Sequence, residues 1–280
     1  MAGLPDTATL ERALDLAARA PSAQNSQPWR WRVSREGVHL YANRSRQLGD
    51  TDSDRRDVLL SCGAVLDHCV VAFAAQGWQS RLRRFPGADR DHLALIEVIE
   101  APATEPSREL AVAIPHRRAD RRRYRADPIP PGTLELLAVR AARRQATLAV
   151  VPASRWARRD DDVVLRYGGD GAGADSPHGD DGVLLVLGTE ADDDESRLRA
   201  GETLSRLLLS ATALGLASCP LTLPLKQIRD RLALAAEVFD GDAYPQALIR
   251  LGHAPTDGDP LPAVERLSVA DTTSWDSGLR

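Results

Sequence analysis

The sequence predicts an α+β fold in which two related halves form a pseudo-dimer within one chain, with mixed sheets flanked by helices. Two patterns predict this fold. Helical patterns alternate with short strand patterns along the 280 residues, and three blocks of sequence recur in the same order. The composition, with 43% hydrophobic and 27% charged residues, is that of an ordinary globular protein and excludes a disordered or collagen-like chain.

The first half is predicted to contain two helices and three strands. Leu10, Leu14 and Ala17 lie at helical spacing, and a proline follows, which predicts that the first helix ends there. Glu36-Gly37 between two apolar runs predicts a hairpin, and Gly77 predicts the end of a long helix. The predicted elements are a helix at 7–19, strands at 29–34 and 38–42, a helix at 54–76 and a strand at 93–99.

The second half repeats this alternation with one long interruption. The Gly- and Asp-rich run 168–182 predicts a mobile loop. We therefore expect a first half at 1–104 and a second half at 105–280, with the mobile loop at about 160–182. The predicted elements are a helix at 131–144, strands at 147–151 and 183–187, helices at 193–214 and 225–235 and a strand at 247–251.

The internal repeat consists of three matched blocks whose spacing grows slowly along the chain. This growth indicates two halves of common origin, with extra loop in the second. Such a chain is expected to fold as a pseudo-symmetric dimer, and we expect it to act as a monomer. In the first block, Thr9-Leu10-Glu11 recurs as Thr133-Leu134-Glu135, at an offset of 124 residues. In the second, Gly63, Leu66, Ala75, Gly77 and Ser80 recur as Gly201, Leu204, Ala213, Gly215 and Ser218, at an offset of 138. In the third, Ala94-Leu95-Ile96 recurs as Ala247-Leu248-Ile249, at an offset of 153.

Charge and cysteine content restrict the class of protein. The formal net charge of −4 argues against a nucleic-acid or membrane-surface protein. The three cysteines form no Cys-x-x-Cys pair, which is typical of structural thiols in a reducing, cytoplasmic compartment. The uncharged run 207–225 contains Gly215 and two prolines and is interpreted as a buried helix that runs into a loop, not as a membrane span. The six histidines show no metal-ligand spacing, so no metal site is predicted.

A first candidate motif is the polar run Ala20-Pro21-Ser22-Ala23-Gln24-Asn25-Ser26-Gln27-Pro28-Trp29, between the first helix and the first strand. Serine, asparagine and glutamine side chains offer both donors and acceptors, and the flanking prolines limit the freedom of the run. This combination suits a flat heterocycle with alternating N–H and C=O edges. The alternative is a capped turn that feeds a strand, with Trp29 in the core.

A second candidate motif is the arginine-rich run from His116 to Arg125, which holds six arginines in the nine residues 117–125. Guanidinium groups bind phosphate through paired hydrogen bonds, so a phosphate clamp for a small cofactor is one interpretation. A solvated basic face or a nucleic-acid patch is the alternative. The acidic net charge and the lack of interleaved aromatic residues weigh against nucleic acid.

These motifs together resemble the FMN-dependent nitroreductase superfamily. The run Ala-Pro-Ser-x-x-Asn-Ser-Gln-Pro-Trp at 20–29 is similar to its signature, and 117–124 resembles its arginine element. The runs 213–220 and 245–252 resemble its C-terminal half. The two-repeat layout, with Ser61-Cys62-Gly63-Ala64 in the first repeat, is similar to the fused, Acg-like actinobacterial subgroup.

The resemblance implies FMN as cofactor, held between two nitroreductase-like halves. In that family the phosphate element comes from one subunit and the Pro-Ser-x-x-Asn loop from the other. Here the first half keeps the loop but lacks an arginine element before its first helix, whereas the second half reads Gln145-Ala146-Thr147 in place of the loop. We therefore expect one complete site, and one FMN, per chain.

The resemblance also implies which residues bind the cofactor. Arg117, Arg118, Arg121 or Arg122 would hold the phosphate, with help from Arg266. The residues expected at the isoalloxazine ring are Ser22, Asn25 and Gln27, together with the backbone of Thr222 and Leu223. No side chain need act as acid or base, so no catalytic residue is assigned.

The expected activity is the NAD(P)H-dependent reduction of nitroaromatics, quinones or similar small acceptors. The alternative is a flavin-binding or flavin-sequestering protein with little turnover, and a nucleic-acid module that uses 117–125 is a third hypothesis. The sequence departs from the family pattern in two places. The phosphate-binding serine is replaced by Ala119, or by Asp120 in a register shifted by one, and the lid segment is short.

Overall fold

The computed structural model describes residues 4–49, 51–167, 182–257 and 259–279, and its first seven helices and strands form the first sheet with its helices and lead into the second half. Asp6 caps the first helix by accepting from the Thr9 amide, and Thr51 and Asp54 form a capping box at the second. The elements are α1 (Thr7–Ala18), β1 (Trp29–Ser34), β2 (Gly37–Ala42), α2 (Asp52–Ala75), β3 (Trp78–Arg84), β4 (His92–Glu100) and α3 (Glu105–His116).

The remaining elements carry the second half and a C-terminal segment. Every helix and strand predicted from the sequence is found, with bounds that differ by a few residues. The elements are α4 (Thr133–Ala142), β5 (Thr147–Val150), β6 (Trp156–Arg159), β7 (Asp162–Leu165), β8 (Val183–Thr189), α5 (Asp194–Ala213), β9 (Ala217–Leu221), α6 (Ile228–Phe239), β10 (Tyr244–Gly252), α7 (Val269–Thr272) and β11 (Thr273–Trp275).

The two halves have the same topology. The strand order is β1-β2-β4-β3 in the first sheet and β5-β8-β10-β9 in the second, so corresponding strands occupy corresponding places. Gly77 and Gly215, which match at offset 138, both have positive φ, at 85° and 75°, just after α2 and α5. The predicted α+β pseudo-dimer is confirmed.

The C-terminal segment belongs structurally to the first half. β11 joins the first sheet as a fifth strand, parallel to β1, with Trp31 opposite Thr273. The first sheet is therefore mixed, whereas the second is antiparallel throughout. The predicted boundary at residue 104 separates the two sheets except for this segment, which the sequence analysis did not recognise as a strand.

The predicted mobile loop differs from the structure at its beginning. β6 and β7 form an antiparallel hairpin, so residues 162–165 are a strand and not a loop. The alternation of buried and exposed residues along β7 shows why: Val163 and Leu165 pack into the core of the second half while Val164 faces outward. The remaining part of the prediction, 168–181, lies outside the described residues.

Helices α2 and α5 pack against each other at the centre of the molecule. The part of α2 from Ser53 to Ala75 is long and apolar enough to cross a membrane, but 83% of its most apolar window is buried inside the protein. Among the described residues this helix, rather than the run 207–225, passes that test of length and composition. Its burial between the first sheet and α5 identifies it as a core helix of the pseudo-dimer.

Candidate functional site

A cavity of about 470 Å³ opens between the two halves and takes its lining from seven separate stretches of the chain. Both halves contribute, as the composite-site prediction requires. The lining residues are Arg19, Pro21, Ser22, Ala23, Gln24 and Asn25 after α1; Asp57, Leu60, Ser61 and Ala64 on α2; Ile114, Pro115, Arg117, Arg118, Ala119, Arg121 and Asp162; Leu204 on α5, with Pro220, Leu221, Thr222, Leu223 and Lys226; and Ala263, Val264 and Arg266 near the C-terminus.

The turn after α1 is a strained wall of this cavity. Gln24, Asn25 and Gln27 have φ values of 48°, 56° and 49°, in the left-handed region that residues other than glycine rarely adopt. The Ser22 hydroxyl accepts from the Gln27 amide at 3.1 Å, and the Ser61 hydroxyl on α2 accepts from the Ala23 amide at 3.2 Å. Strain of this kind persists only where the surroundings hold it, and it concentrates at ligand sites.

The C-terminal segment closes the cavity by binding to this turn. Arg266 donates to the Asn25 side-chain oxygen at 2.7 Å, and the side-chain nitrogen of Asn25 donates to the Glu265 backbone carbonyl at 3.1 Å. The Gln27 side-chain oxygen accepts from the Leu267 amide at 2.9 Å. Gln27 is buried behind the wall and does not line the cavity. It therefore positions the C-terminal segment.

Arg117 is the most unusual charge in the site. Its side chain is only 5% exposed, and among the described residues Nε and Nη1 have no hydrogen-bond partner. In the same part of the chain, its one side-chain hydrogen bond is donated by Nη2 to the Arg19 carbonyl at 3.4 Å. Burial, and then the charges of Arg266 and Arg118, lower the pKa of Arg117 to about 10. A buried guanidinium with no carboxylate beside it is costly, and an anion in the cavity would offset that cost.

The neighbouring arginines fall into two groups. Arg118 lines the cavity and donates to the carbonyls of Pro115 and its own neighbour Arg117, at 2.7 and 2.9 Å. Arg121 also lines the cavity, but it is half-exposed and paired with Asp162 at 2.5 Å. Arg122 lies outside the lining, because Asp120 accepts from its side chain at 2.8 Å.

Asp120 itself does not line the cavity. It is buried and bound to Arg122, whereas Ala119 lines the wall. The carboxylate therefore does not face the cavity. Of the predicted cofactor-binding residues, the structure brings together at one cavity Ser22, Asn25, Arg117, Arg118, Arg121, Thr222, Leu223 and Arg266, and it leaves Gln27 and Arg122 outside.

The sequence analysis did not assign six polar lining residues to the site: Arg19, Gln24, Asp57, Ser61, Asp162 and Lys226. Ser61 and Asp57 lie one turn apart on α2, and the Ser61 hydroxyl donates to the Asp57 carbonyl at 2.6 Å. Lys226, from the second half, bridges Asp54 at 2.8 Å and Asp57 at 3.3 Å. The hydrogen bond to Asp54 raises the pKa of Lys226. Lys226 is the single lysine of the chain, and that rarity was the signal available in the sequence.

The symmetry-related position is filled by paired charges. Ala64, Ser61 and Thr222 line the cavity. At offset 138, the residues that match them in the other half are Glu202, Arg199 and Arg84, respectively. Glu202 is 3% exposed, and both its oxygens accept from Arg84, at 2.7 and 2.8 Å. Larger side chains at the matched positions therefore occupy the space that small ones leave open in the cavity.

Further ion pairs extend this filled position. Arg144, directly before the stretch that replaces the polar loop, binds Asp67 at 2.9 Å, and Arg206 binds the same carboxylate at 2.7 Å. Arg199 pairs with Glu195 at 2.5 Å and also contacts the Gln145 side chain. We call Arg84, Glu202, Arg144, Asp67, Arg206 and Arg199 the ionic plug.

Comparison with known proteins assigns the fold and the family. A crystal structure described as "a putative nitroreductase" from Anabaena variabilis has the same fold, with a TM-score of 0.58 and 12% identity over 90% of each chain. No family model matches the sequence. The fold and the composite cavity thus define a nitroreductase-type pseudo-dimer.

Two relatives from Mycobacterium tuberculosis (strain ATCC 25618 / H37Rv) place the chain more closely. "Putative NAD(P)H nitroreductase Rv3131" is 40% identical and covers 98% of this chain and 94% of its own length. "Putative NAD(P)H nitroreductase acg" is 32% identical and covers 94% and 96%. The chain belongs to the NAD(P)H nitroreductase family, among relatives that include these actinobacterial proteins. The resemblance stated from the sequence motifs is confirmed.

Proposed function

We propose that the protein is an FMN-dependent oxidoreductase that uses NAD(P)H to reduce small acceptors such as nitroaromatics or quinones. One observation carries the proposal. Arg117 is a buried guanidinium to which the described part of the chain offers no carboxylate partner, and it lines a composite cavity between the halves. The family assignment supports the reaction class, because the two relatives are named as NAD(P)H nitroreductases.

The residues present fit FMN. Arg117 and Arg266 supply guanidinium donors for a phosphate, and two nitrogens of Arg117 need an acceptor. Leu60, Ala64 and Leu204 give the cavity an apolar floor against which a flat ring can pack. The mixture of apolar lining with a few convergent polar groups is that of a cofactor pocket.

Bound FMN would supply hydride transfer from NAD(P)H and electron transfer to the acceptor. The chain's own residues bind and orient. Arg117 holds negative charge in a buried place, where electrostatic attraction is stronger than in water. The turn at 22–27 and the C-terminal segment lock each other through Asn25 and Arg266, which fixes the wall of the cavity. No residue is assigned to proton transfer.

One FMN per chain is part of the proposal. The positions that would form a second cavity are occupied by Glu202, Arg199 and Arg84 of the ionic plug. These charges are already paired, so no anion is needed to offset them. We propose that the protein works as a single-chain pseudo-dimer, located in the cytoplasm.

The arginine-rich run gives little support to nucleic-acid binding. Of its members, Arg117 is buried, whereas Arg121 and Arg122 are paired with Asp162 and Asp120. Nucleic-acid binding requires cations that are free to contact phosphates on an open surface. This arrangement favours a small-molecule ligand inside the protein.

Anaerobic reduction of the purified protein tests the proposal. We expect a yellow protein whose flavin bleaches within a catalytic timescale when mixed with NADPH or NADH in a stopped-flow instrument, and recolours on addition of a nitroaromatic or quinone. Dithionite serves as a control for a flavin that can be reduced at all. Bleaching by dithionite but by neither nucleotide would replace the enzyme with a flavin-sequestering protein. A colourless protein that takes up no FMN would reject both functions.

A further inference from the structure

Four arginines at the cavity have no carboxylate partner in the described part of the chain: Arg19, Arg117, Arg118 and Arg266. The other cations of the lining are already neutralised. Arg121 is paired with Asp162, and Lys226 is shared by Asp54 and Asp57. The unpaired positive charge is thus confined to this group, which we call the arginine quartet.

The members of the quartet lie close enough to repel one another. The charges of Arg266 and Arg118 both lower the pKa of Arg117, after burial. Burial, followed by the charges of Arg19 and Arg118, lowers the pKa of Arg266. Arg117 and Arg266 also donate to the same acceptor, the Arg19 carbonyl, at 3.4 and 3.5 Å. Four guanidiniums held together without acids favour negatively charged ligands.

One phosphate does not balance this charge. A phosphate monoester carries about −1.5 to −2 charge at neutral pH, which offsets about two guanidiniums. Arg117 is the buried member and Arg19 the exposed one, whereas Arg118 and Arg266 are both half-buried. Arg117 and Arg266 share the Arg19 carbonyl as acceptor, which holds these two together for one anionic group. The charges of Arg118 and of the exposed Arg19 remain for another group.

From this imbalance we infer that the site takes a second anionic group, a phosphomonoester bound by Arg19 and Arg118, and that the reductant is accordingly NADPH in preference to NADH. The two nucleotides differ by one phosphomonoester, on the 2′-oxygen of the adenosine ribose. The inference rests on the proposed function for the identity of the reductant. The need for a second anion comes from the quartet itself.

Binding measured without turnover tests the second anion. Adenosine 2′,5′-bisphosphate and adenosine 5′-monophosphate are titrated into the FMN-loaded protein by isothermal calorimetry. We expect the bisphosphate to bind at least about tenfold more tightly, since a hydrogen-bonded charge pair contributes about this factor or more. Inorganic phosphate is titrated as a third ligand. If it binds as tightly as the bisphosphate, the subsite holds free phosphate instead of a nucleotide, and the preference for NADPH is rejected. Equal binding of the two nucleotides overturns the inference.

Variants assign the preference to named residues. Arg19→Gln and Arg118→Gln should each reduce the ratio of the two affinities by about tenfold. Arg123→Gln is the matched control, because Arg123 is exposed, lies in the same arginine-rich run and is outside the cavity lining. A ratio that survives both cavity variants, or that falls equally in the control, contradicts the assignment.

The same variants separate this inference from the proposed function. The rate of flavin bleaching is measured for wild type and variants with NADPH and with NADH. Equal bleaching by both nucleotides rejects the preference and leaves the oxidoreductase in place. A bisphosphate preference without bleaching by either nucleotide rejects the oxidoreductase and leaves the second anion subsite in place.

Discussion

Gly63 and Gly201 face each other where α2 and α5 cross. A methyl group on Gly63 would lie 2.8 Å from the Gly201 Cα, and one on Gly201 would lie 2.9 Å from the Gly63 Cα. The contacts are reciprocal: the first methyl would meet the Leu198 carbonyl oxygen at 2.1 Å, and the second the Leu60 carbonyl oxygen at 2.2 Å. Gly63 and Leu60 correspond to Gly201 and Leu198 at the same offset. The crossing is an isologous interface inside one chain.

Gly63→Ala should destabilise the protein because the three nearest neighbours of the new methyl group are all backbone atoms, which cannot rotate away as a side chain can. Overpacking of this kind costs about 2 kcal/mol or more. Gly87→Ala is the control, since nothing lies within 4 Å of a methyl group there. Urea denaturation of both variants measures the difference. A Gly63→Ala protein as stable as Gly87→Ala would mean that the helices separate freely at the crossing.

Arg117→Gln should weaken FMN binding by at least about tenfold, because the variant removes a charged donor from a buried place. The same change should leave the FMN-free protein as stable as wild type or more stable, since an unpaired buried charge is removed. Fluorescence titration with FMN and thermal unfolding of the FMN-free protein measure the two effects. A variant that loses stability but not affinity would assign Arg117 to the architecture alone.

The ratio of FMN to protein should be close to one. The ionic plug occupies the second position, and its arginines are all paired with carboxylates: Arg84 with Glu202, Arg206 and Arg144 with Asp67, and Arg199 with the neighbouring Glu195, at 2.5–2.9 Å. Flavin absorbance after release from a protein of known concentration gives the ratio. A value near two would contradict the loss of the second site.

His68 should make stability fall with acid. Burial, and then the charge of Arg117, lower the pKa of His68 to about 3 from an ordinary value of 6.5. Between these two pH values, His68 is protonated in the unfolded chain and neutral in the folded chain. Stability is therefore full above about pH 6.5 and declines by about 1.4 kcal/mol per pH unit from this residue as the pH falls toward 3.

His68→Gln should flatten this dependence. Free energies of unfolding from urea titrations at several pH values between 7 and 4 give the slope for each protein. His116→Gln, on the exposed end of α3, is the control. If the His68 variant keeps the wild-type slope, the acid sensitivity belongs to other groups.

Local and repeated features could be predicted from the sequence. The matched blocks gave the pseudo-dimer because Gly63 and Gly201, and Ala94 and Ala247, occupy the same places in the two halves. The polar run and the arginine run gave two stretches of the cavity wall, because their residue types by themselves suit a heterocycle and a phosphate.

Features that depend on distant partners could not be predicted. The three residues of β11 form a strand only because β1 lies beside them, more than two hundred residues away in sequence. Gln27 was assigned to the cofactor, but its partner is the Leu267 amide. The role of Arg122 was set by Asp120, two positions away, whose burial the sequence does not reveal.

Fusion of the two halves has a consequence for how such a protein can evolve. In a dimer of identical subunits, a mutation at the position of Ala64 changes both sites at once. A charged side chain there would therefore abolish ligand binding at both. In the fused chain, Ala64 and Glu202 are encoded separately. One position can therefore accumulate a network of ion pairs that strengthens the joint, while selection for the ligand acts on the other alone.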